Sequence, residues 1–235
     1  MLPNIKIAVD AMGGENSPKK VIDGILENYK QNKNVIYNIF GDYEKIISLL
    51  PNNYNKEVFV ITDTKNKILD TDSPLSAAKK GKDTSMWLTI QSLKNNESDI
   101  AISAGNTGAL FVISKLNLKM IENIDKPALS ALWPNKKNFN VVLDLGANIE
   151  CNDKNLIDFS IMGSALFKSL YPMDNPEVAL LNIGSEELKG NEIIKKAYQS
   201  LQNNRNKNFN FQGYVEGNQI MDGKVNVIVT DGFTG

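Results

Sequence analysis

Residues 100–118 read IAISAGNTGALFVISKLNL, and this stretch decides the fold. A short apolar run, Ile100 to Ser103, is cut by a turn of Gly, Asn and Thr, and from Thr107 to Leu118 apolar residues recur at helical spacing. Strand, tight polar turn and helix together make half of a βα repeat. The same alternation runs outward in both directions. Strands are expected at Lys6 to Asp10, Val35 to Phe40, Val58 to Ile61, Val141 to Leu145, Val178 to Asn182 and Val225 to Thr230, with two further strands at Ala128 to Trp133 and Phe209 to Val215. Pro127 and Pro134 bracket the first of these two and Gly213 interrupts the second, so sheet direction can be mixed there. Helices are expected at Pro18 to Tyr29, Tyr43 to Leu50, Pro74 to Lys94, Asn155 to Leu170 and Asn191 to Asn203, with Ser17-Pro18 and Ser73-Pro74 as cap-then-proline starts. The expected class is α/β with a mainly parallel sheet.

Composition narrows the chemistry. The chain has 235 residues, 42% of them apolar, which is enough for a sizeable core, and no linker or internal repeat marks a domain boundary. With 26 basic and 27 acidic residues the net charge is -1, so no field favours nucleic acid. No apolar run approaches the roughly 20 residues of a membrane span, and the start, Met1 to Asp10, reads as a strand rather than a leader, so a cytoplasmic protein is expected. The Asn-rich stretches Gln31 to Asn38 and Asn203 to Asn210 read as loops or strand edges.

Histidine is absent and Cys151 is the single cysteine. That composition removes His-activated serine or cysteine nucleophiles, His-ligated zinc and any internal disulfide. Cys151 itself, with only Lys154 nearby to lower its pKa, reads as an inert small residue. No metal and no cofactor are expected: there is no G-x-G-x-x-G after the first strand and no Gly-Lys-Ser/Thr of a nucleotide loop.

Five strands end in Gly-containing polar turns, at 10–14 (DAMGG), 103–108 (SAGNTG), 144–148 (DLGAN), 182–186 (NIGSE) and 231–235 (DGFTG). In open α/β sheets such carboxyl-end loops hold ligands. A Gly-rich turn feeding a helix offers free N–H groups and a positive dipole end to an anion, and the turn at Asn106, Thr107 and Gly108 suits phosphate best. Read as five turns on one sheet edge, they point to one site. Lys189 lies just past a strand end and can neutralise phosphate or a departing thiolate, or simply solvate the surface. Glu216 can orient phosphate or close a strand-end turn. Lys79, Lys80 and Lys82 form a basic cluster that can meet an acidic protein partner or be a solvated helix face.

Taken in order, the segments IAVDAMGG, KDTSM, SAGNTGAL, DLGAN with FSIMGSA, LLNIGSEELKGNE, YVEG and TDGFTG resemble the PlsX family of phosphate acyltransferases, and the match runs from Ile7 to Gly235. Glu15 stands where the family usually has Asp, Lys79 where it usually has Arg, and Gln219 and Asn226 where it tends to carry Asp. The resemblance implies a three-layer Rossmann-like domain, akin to isocitrate dehydrogenases and phosphate acetyltransferases, over residues 1–235, with the family's C-terminal part continuing beyond Gly235. It also implies a homodimer that moves a fatty acyl group from acyl carrier protein to inorganic phosphate. The product, acyl-phosphate, would serve phospholipid synthesis through a membrane glycerol-3-phosphate acyltransferase of the PlsY type, with peripheral membrane association. On that reading Lys189, Asn182 and Asn148 are catalytic, while Asn106, Thr107, Gly108, Gly13, Gly14, Glu216 and Asp231 bind substrate, and Asp144 and Asp231 also order their loops. The competing readings are an acetyl- or butyryltransferase with a coenzyme A donor, and a non-catalytic scaffold that binds carrier protein.

Overall fold

The computed structural model describes residues 4–187, 189–203 and 208–235; residues 1–3 of the expected first-strand segment and 204–207 of the second Asn-rich stretch lie outside it. The chain divides into two compact units, Met1–Lys119 and Met120–Gly235.

The first unit is a four-stranded parallel sheet in the order β3-β2-β1-β4. Its elements are β1 (Ile5–Asp10), α1 (Lys19–Gln31), β2 (Val35–Gly41), α2 (Tyr43–Ile47), β3 (Phe59–Asp63), α3 (Pro74–Lys79), α4 (Ser85–Lys94), β4 (Ile100–Ile102) and α5 (Thr107–Asn117). Val9, Tyr37, Ile39 and Phe59 pack with Ile22 and Ile25 of α1 and Ile46 of α2. A separate cluster joins Ala77 of α3, Met86 and Ile90 of α4, and Ala109 and Ile113 of α5.

The second unit holds β5 (Ser130–Pro134), β6 (Phe139–Leu143), α6 (Asp153–Leu170), β7 (Glu177–Leu181), α7 (Glu192–Asn203), β8 (Asn210–Val215), a 3-10 helix (Gly217–Asp222) and β9 (Val227–Val229). Its sheet runs β5-β6-β9-β7-β8, with β5 antiparallel to β6 and the other pairings parallel. Alternate strand residues serve opposite faces, as the pleat requires. Val141, Leu143, Val178, Leu180, Val227 and Val229 pack against Leu156, Phe159 and Phe167 of α6 and Ala197 and Leu201 of α7. Their neighbours Val142, Ala179 and Ile228 form the second face with Val215, Val225 and Ile220. Helix α6 comes close to the sheet at Gly163, where a Cβ would stand 2.5 Å from Val227 Cγ1 and 2.8 Å from Leu143 Cδ2. Gly213 also leaves its mark, because the β7–β8 register shifts between Val178↔Phe211 and Leu180↔Tyr214.

All nine expected strands form, and the mixed direction falls at β5. Three expectations are corrected. The single helix Pro74 to Lys94 is two, because Gly81 takes φ +122 and Thr84 is extended, its hydroxyl capping α4 by accepting from Trp87 N at 3.4 Å. Ser17 does not cap α1: its hydroxyl turns back to donate to Gly13 O, and α1 begins after Pro18 with no side-chain cap. Ser73, by contrast, caps α3 by accepting from Ser76 N at 3.2 Å, with Pro74 in the first turn. Finally, the strand-end turns do not share one sheet edge. Those at 10–14 and 103–108 follow β1 and β4 of the first sheet, and the other three follow β6, β7 and β9 of the second.

Candidate functional site

In the first unit the turns after β1 and β4 lie backbone on backbone. Buried Asp10 ties them: its Oδ1 accepts from Met12 N (3.2 Å) and its Oδ2 from Ser103 Oγ (2.7 Å), while Ser103 Oγ accepts from Gly105 N (3.2 Å). Gly13 and Gly14 make the approach possible. A Cβ on Gly13 would stand 2.6 Å from Asp10 Oδ2 and 2.8 Å from Gly105 N, and Gly14, at φ +83, would meet Ala104 O at 2.6 Å. The pair therefore sits beside the expected phosphate turn.

Within that turn Asn106 is fully engaged. Its Oδ1 caps α5 by accepting from Ala109 N at 2.9 Å, and its Nδ2 donates to Asp70 O (3.0 Å) and Asp72 O (2.9 Å). Asp72 is held in turn by Lys80 Nζ at 2.5 Å and by Leu69 N at 2.7 Å, and the Lys80 ammonium keeps its carboxyl below the usual carboxylate range. Lys80 is thus paired, so the basic cluster reduces to exposed Lys79 and Lys82. With both Asn106 hydrogens committed, the open donors of this turn are the N–H groups of Thr107 and Gly108. No hydrogen bond occupies their N–H groups among the described residues, and they open the first turn of α5, where the helix dipole is positive. The Thr107 side chain is exposed.

In the second unit β6, β9, β7 and β8 are parallel neighbours, so the segments after them meet at one carboxyl edge. Fully buried Asp144 organises it. Its Oδ1 accepts from Leu129 N (2.9 Å) and Ala147 N (3.2 Å), and its Oδ2 from Asn148 N (2.7 Å) and Asn148 Nδ2 (2.8 Å). Asn148 Nδ2 gives its other hydrogen to Pro127 O at 2.7 Å, so in this geometry both side-chain hydrogens of Asn148 point into the loop. Asn148 O accepts from Gly232 N at 2.9 Å, and Asp231 Oδ1 accepts from Phe233 N (3.1 Å) and Thr234 N (2.7 Å).

The connection from β7 to α7 brings Asn182 and Lys189 together. Asn182 Nδ2 donates to Lys189 O at 3.2 Å, and the Lys189 side chain runs past Gly184 to the exterior. Glu216, after β8, gives its N–H to Gln219 Oε1 at 3.2 Å in the turn that starts the 3-10 helix. The structure thus gathers Asn148, Asp231, Asn182, Lys189 and Glu216 at the second sheet, and Gly13, Gly14, Asn106, Thr107 and Gly108 at the first.

Between the strand ends and the first turns of α6 and α7 lies a cavity of about 440 Å³, lined by Leu156, Leu181, Ile193 and Ile194 and by the polar Asn182, Thr230 and Asp231 at the strand ends. Cys151 also lines it; the thiol approaches Asn148 O at 3.4 Å, and burial pushes its pKa up against the lowering effect of Gly232 N–H and Lys126. Sequence reasoning missed this apolar lining. The only available signal was the placement of Ile193, Ile194 and Leu156 just behind strand-end turns, where each looks like an ordinary core position.

Gly-rich turns thus end strands in both units, and the second unit adds a largely apolar pocket. Solved structures share the fold. The EutD phosphotransacetylase from Staphylococcus aureus superposes with a TM-score of 0.67 at 15% identity, covering 99% of this chain and 79% of that one. A branched-chain phosphotransacylase from Enterococcus faecalis gives 0.60 at 13% identity, covering 98% and 80%. The family model described as "Fatty acid synthesis protein" matches residues 5–235. The "Phosphate acyltransferase" of Pelagibacter ubique is 71% identical over 231 residues, 98% of this chain and 69% of that protein, and the one of Ehrlichia ruminantium is 42% identical over 238 residues, covering 100% and 70%. The chain belongs to this fatty acid synthesis protein family, the PlsX family of acyltransferases. Among the described residues no helix is long and apolar enough to cross a membrane.

Proposed function

We propose that the chain transfers a fatty acyl group from acyl-(acyl carrier protein) to inorganic phosphate, giving acyl-phosphate and the free carrier thiol. The observation that carries this reading is the second sheet's cavity, apolar along its walls and polar where the strand ends open. It suits a substrate with a hydrocarbon body and a reactive carbonyl. A phosphate oxygen attacks the carbonyl carbon, the tetrahedral oxyanion collapses, and the C–S bond breaks to release a thiolate that takes its proton from solvent. Phosphate is already an anionic nucleophile and the departing thiol has an ordinary pKa of about 8.5, so a chain without histidine can run the reaction. The protein's task is orientation and charge stabilisation.

In this reading the Thr107 and Gly108 N–H groups hold phosphate, and Gly13 and Gly14 let their loop lie against it. Asn182, with one Nδ2 hydrogen beyond its bond to Lys189 O, contacts the acyl carbonyl, and Lys189 neutralises phosphate or thiolate. Asn106 and Asn148 act through the turns they brace, and Glu216 and Asp231 shape the rim. Cys151, its thiol pushed up by burial, is not the nucleophile. A homodimer that passes acyl-phosphate to a membrane acyltransferase of the PlsY type completes the reading, on the strength of the resemblance alone.

The test supplies acyl-carrier protein and acyl-coenzyme A side by side with phosphate and traps acyl-phosphate as the hydroxamate. The expected result is phosphate-dependent product from the carrier-protein donor. Thioester loss that persists without phosphate refutes the reaction, and preference for coenzyme A refutes the donor.

A further inference from the structure

We infer that the 440 Å³ cavity of the second unit is the seat of the acyl chain's hydrocarbon, and that Ile193 at its mouth sets which chain lengths enter. The inference rests on the proposed reaction and names the part of the substrate this pocket takes. Three observations favour hydrocarbon. The volume lies within the roughly 300–1,000 Å³ of small-molecule sites. The lining passes from exposed to buried apolar side chains: Ile183 (82% exposed) and Ile193 (39%) stand at the opening, and Leu156 (3%) is the most enclosed of the apolar wall. Several of the polar lining groups are already committed: Asp231 Oδ1 serves Phe233 N and Thr234 N, Asn191 Oδ1 serves Ile194 N at 2.9 Å, and Asn182 Nδ2 donates to Lys189 O at 3.2 Å.

The lining also argues against the other occupants. Among the described lining residues phosphate finds no lysine or arginine, so the interior of the cavity offers its charge no cationic partner. The pantetheine arm of a carrier protein carries two amides, and the apolar walls formed by Leu156, Leu181, Ile193 and Ile194 offer them no hydrogen-bond partner. A methylene chain has no such requirement. Ile193 is the position to probe because it lines the cavity from the first turn of α7 while remaining partly exposed, so a larger side chain there reaches the opening with little disturbance of the core.

Cys151, the chain's single cysteine, lines the same cavity and reports its occupancy. Alkylation of the protein by N-ethylmaleimide, followed by intact mass, is expected to slow fivefold or more in saturating palmitoyl-(acyl carrier protein). The butyryl form should slow it less than twofold, and S-methylpantetheine not at all. Equal slowing by both donors, or slowing by S-methylpantetheine, overturns the inference. Ile193→Trp is expected to raise the ratio of kcat/KM for butyryl over palmitoyl donors at least tenfold, since a pocket that loses room for even one methylene discriminates by about 10–200-fold. An unchanged ratio overturns it as well. Protection of Cys151 by the palmitoyl donor in a protein that forms no acyl-phosphate would keep the cavity assignment and sink the reaction. Turnover with neither protection nor a ratio shift would do the reverse.

Discussion

Replacing Asp144 by alanine tests whether one buried carboxylate holds the carboxyl edge of the second sheet. Its oxygens accept four hydrogen bonds, from the N–H groups of Leu129, Ala147 and Asn148 and from Asn148 Nδ2, at 2.7 to 3.2 Å, and the residue has no solvent exposure. Alanine leaves four donors without an acceptor. At about 1 kcal/mol each, the low end for an orphaned buried donor, the loss is roughly 4 kcal/mol, above the usual range for a point substitution. The damage should spread, because Asp144 N donates to Thr230 O at 3.1 Å and Gly232 N donates to Asn148 O, so the turn at 144–148 supports the cavity rim. Asp144→Asn keeps the volume but turns an NH2 group toward N–H donors, and an intermediate loss is expected. Urea denaturation gives the free energies, and hydrogen exchange should show Leu129, Ala147 and Asn148 losing protection together. A stability of Asp144→Ala within 1 kcal/mol of wild type would refute the reasoning.

Lys189→Ala is expected to lower turnover roughly 10²-fold with an unchanged melting temperature, as when a preorganised charge beside the reacting groups is removed. A raised phosphate KM would assign it to phosphate and a reduced kcat alone to the thiolate, whereas wild-type kinetics would return it to the solvated surface. Gly163→Ala should cost about 1–3 kcal/mol by overpacking, since its Cβ would press on Val227 and Leu143; calorimetry showing no loss would mean that α6 does not lie so close. Asp72→Asn should melt below wild type at pH 7, because the Lys80 ammonium and the Leu69 N–H lower the folded carboxyl pKa. A lowered folded pKa stabilises above the unfolded value of about 4, and that contribution is lost as pH falls through the folded value. The gap in melting temperature should therefore close below about pH 4, and a gap independent of pH would exclude the ion pair as its source.

The sequence told element types well because they depend on local pattern. Ile100 to Ser103 followed by a Gly-Asn turn needs no distant partner to read as a strand end, and β4 with α5 formed there. Where a local pattern was ambiguous, a backbone conformation decided: residues 74–94 read as one helix across the polar stretch 79–85, and there the left-handed Gly81 and the extended Thr84 split it. Ser17 and Ser73 both precede proline, but only Ser73 has a helical N–H within reach, because Ser17 is drawn to Gly13 O. Pairing was not legible at all. Periodicity says that β4 and β7 are strands, not that they belong to different sheets, and no Gly- or Pro-rich linker marks the step from Lys119 to Met120.

The candidate site divides along the same line. Strand-end turns were visible as composition, so Asn106, Thr107, Asn148, Asn182 and Lys189 could be named. Which of their donors remain available is a property of partners far away in the chain. Asn106 spends its amide hydrogens on Asp70 O and Asp72 O, more than thirty residues away, and Asn148 one of its two on Pro127 O. An asparagine in a strand-end turn therefore has two physical identities, a donor to ligand or a brace for the turn, and only the folded backbone distinguishes them. By that criterion Asn182 differs from the other two: it has given up one Nδ2 hydrogen, to a carbonyl seven residues on, and it lines the apolar cavity. Asn182→Asp, which keeps the shape but replaces the donor with an acceptor, should consequently depress kcat more than Asn106→Asp or Asn148→Asp at equal stability. The comparison of these three substitutions separates a carbonyl donor from two turn braces, and equal effects at all three would remove Asn182 from the chemistry.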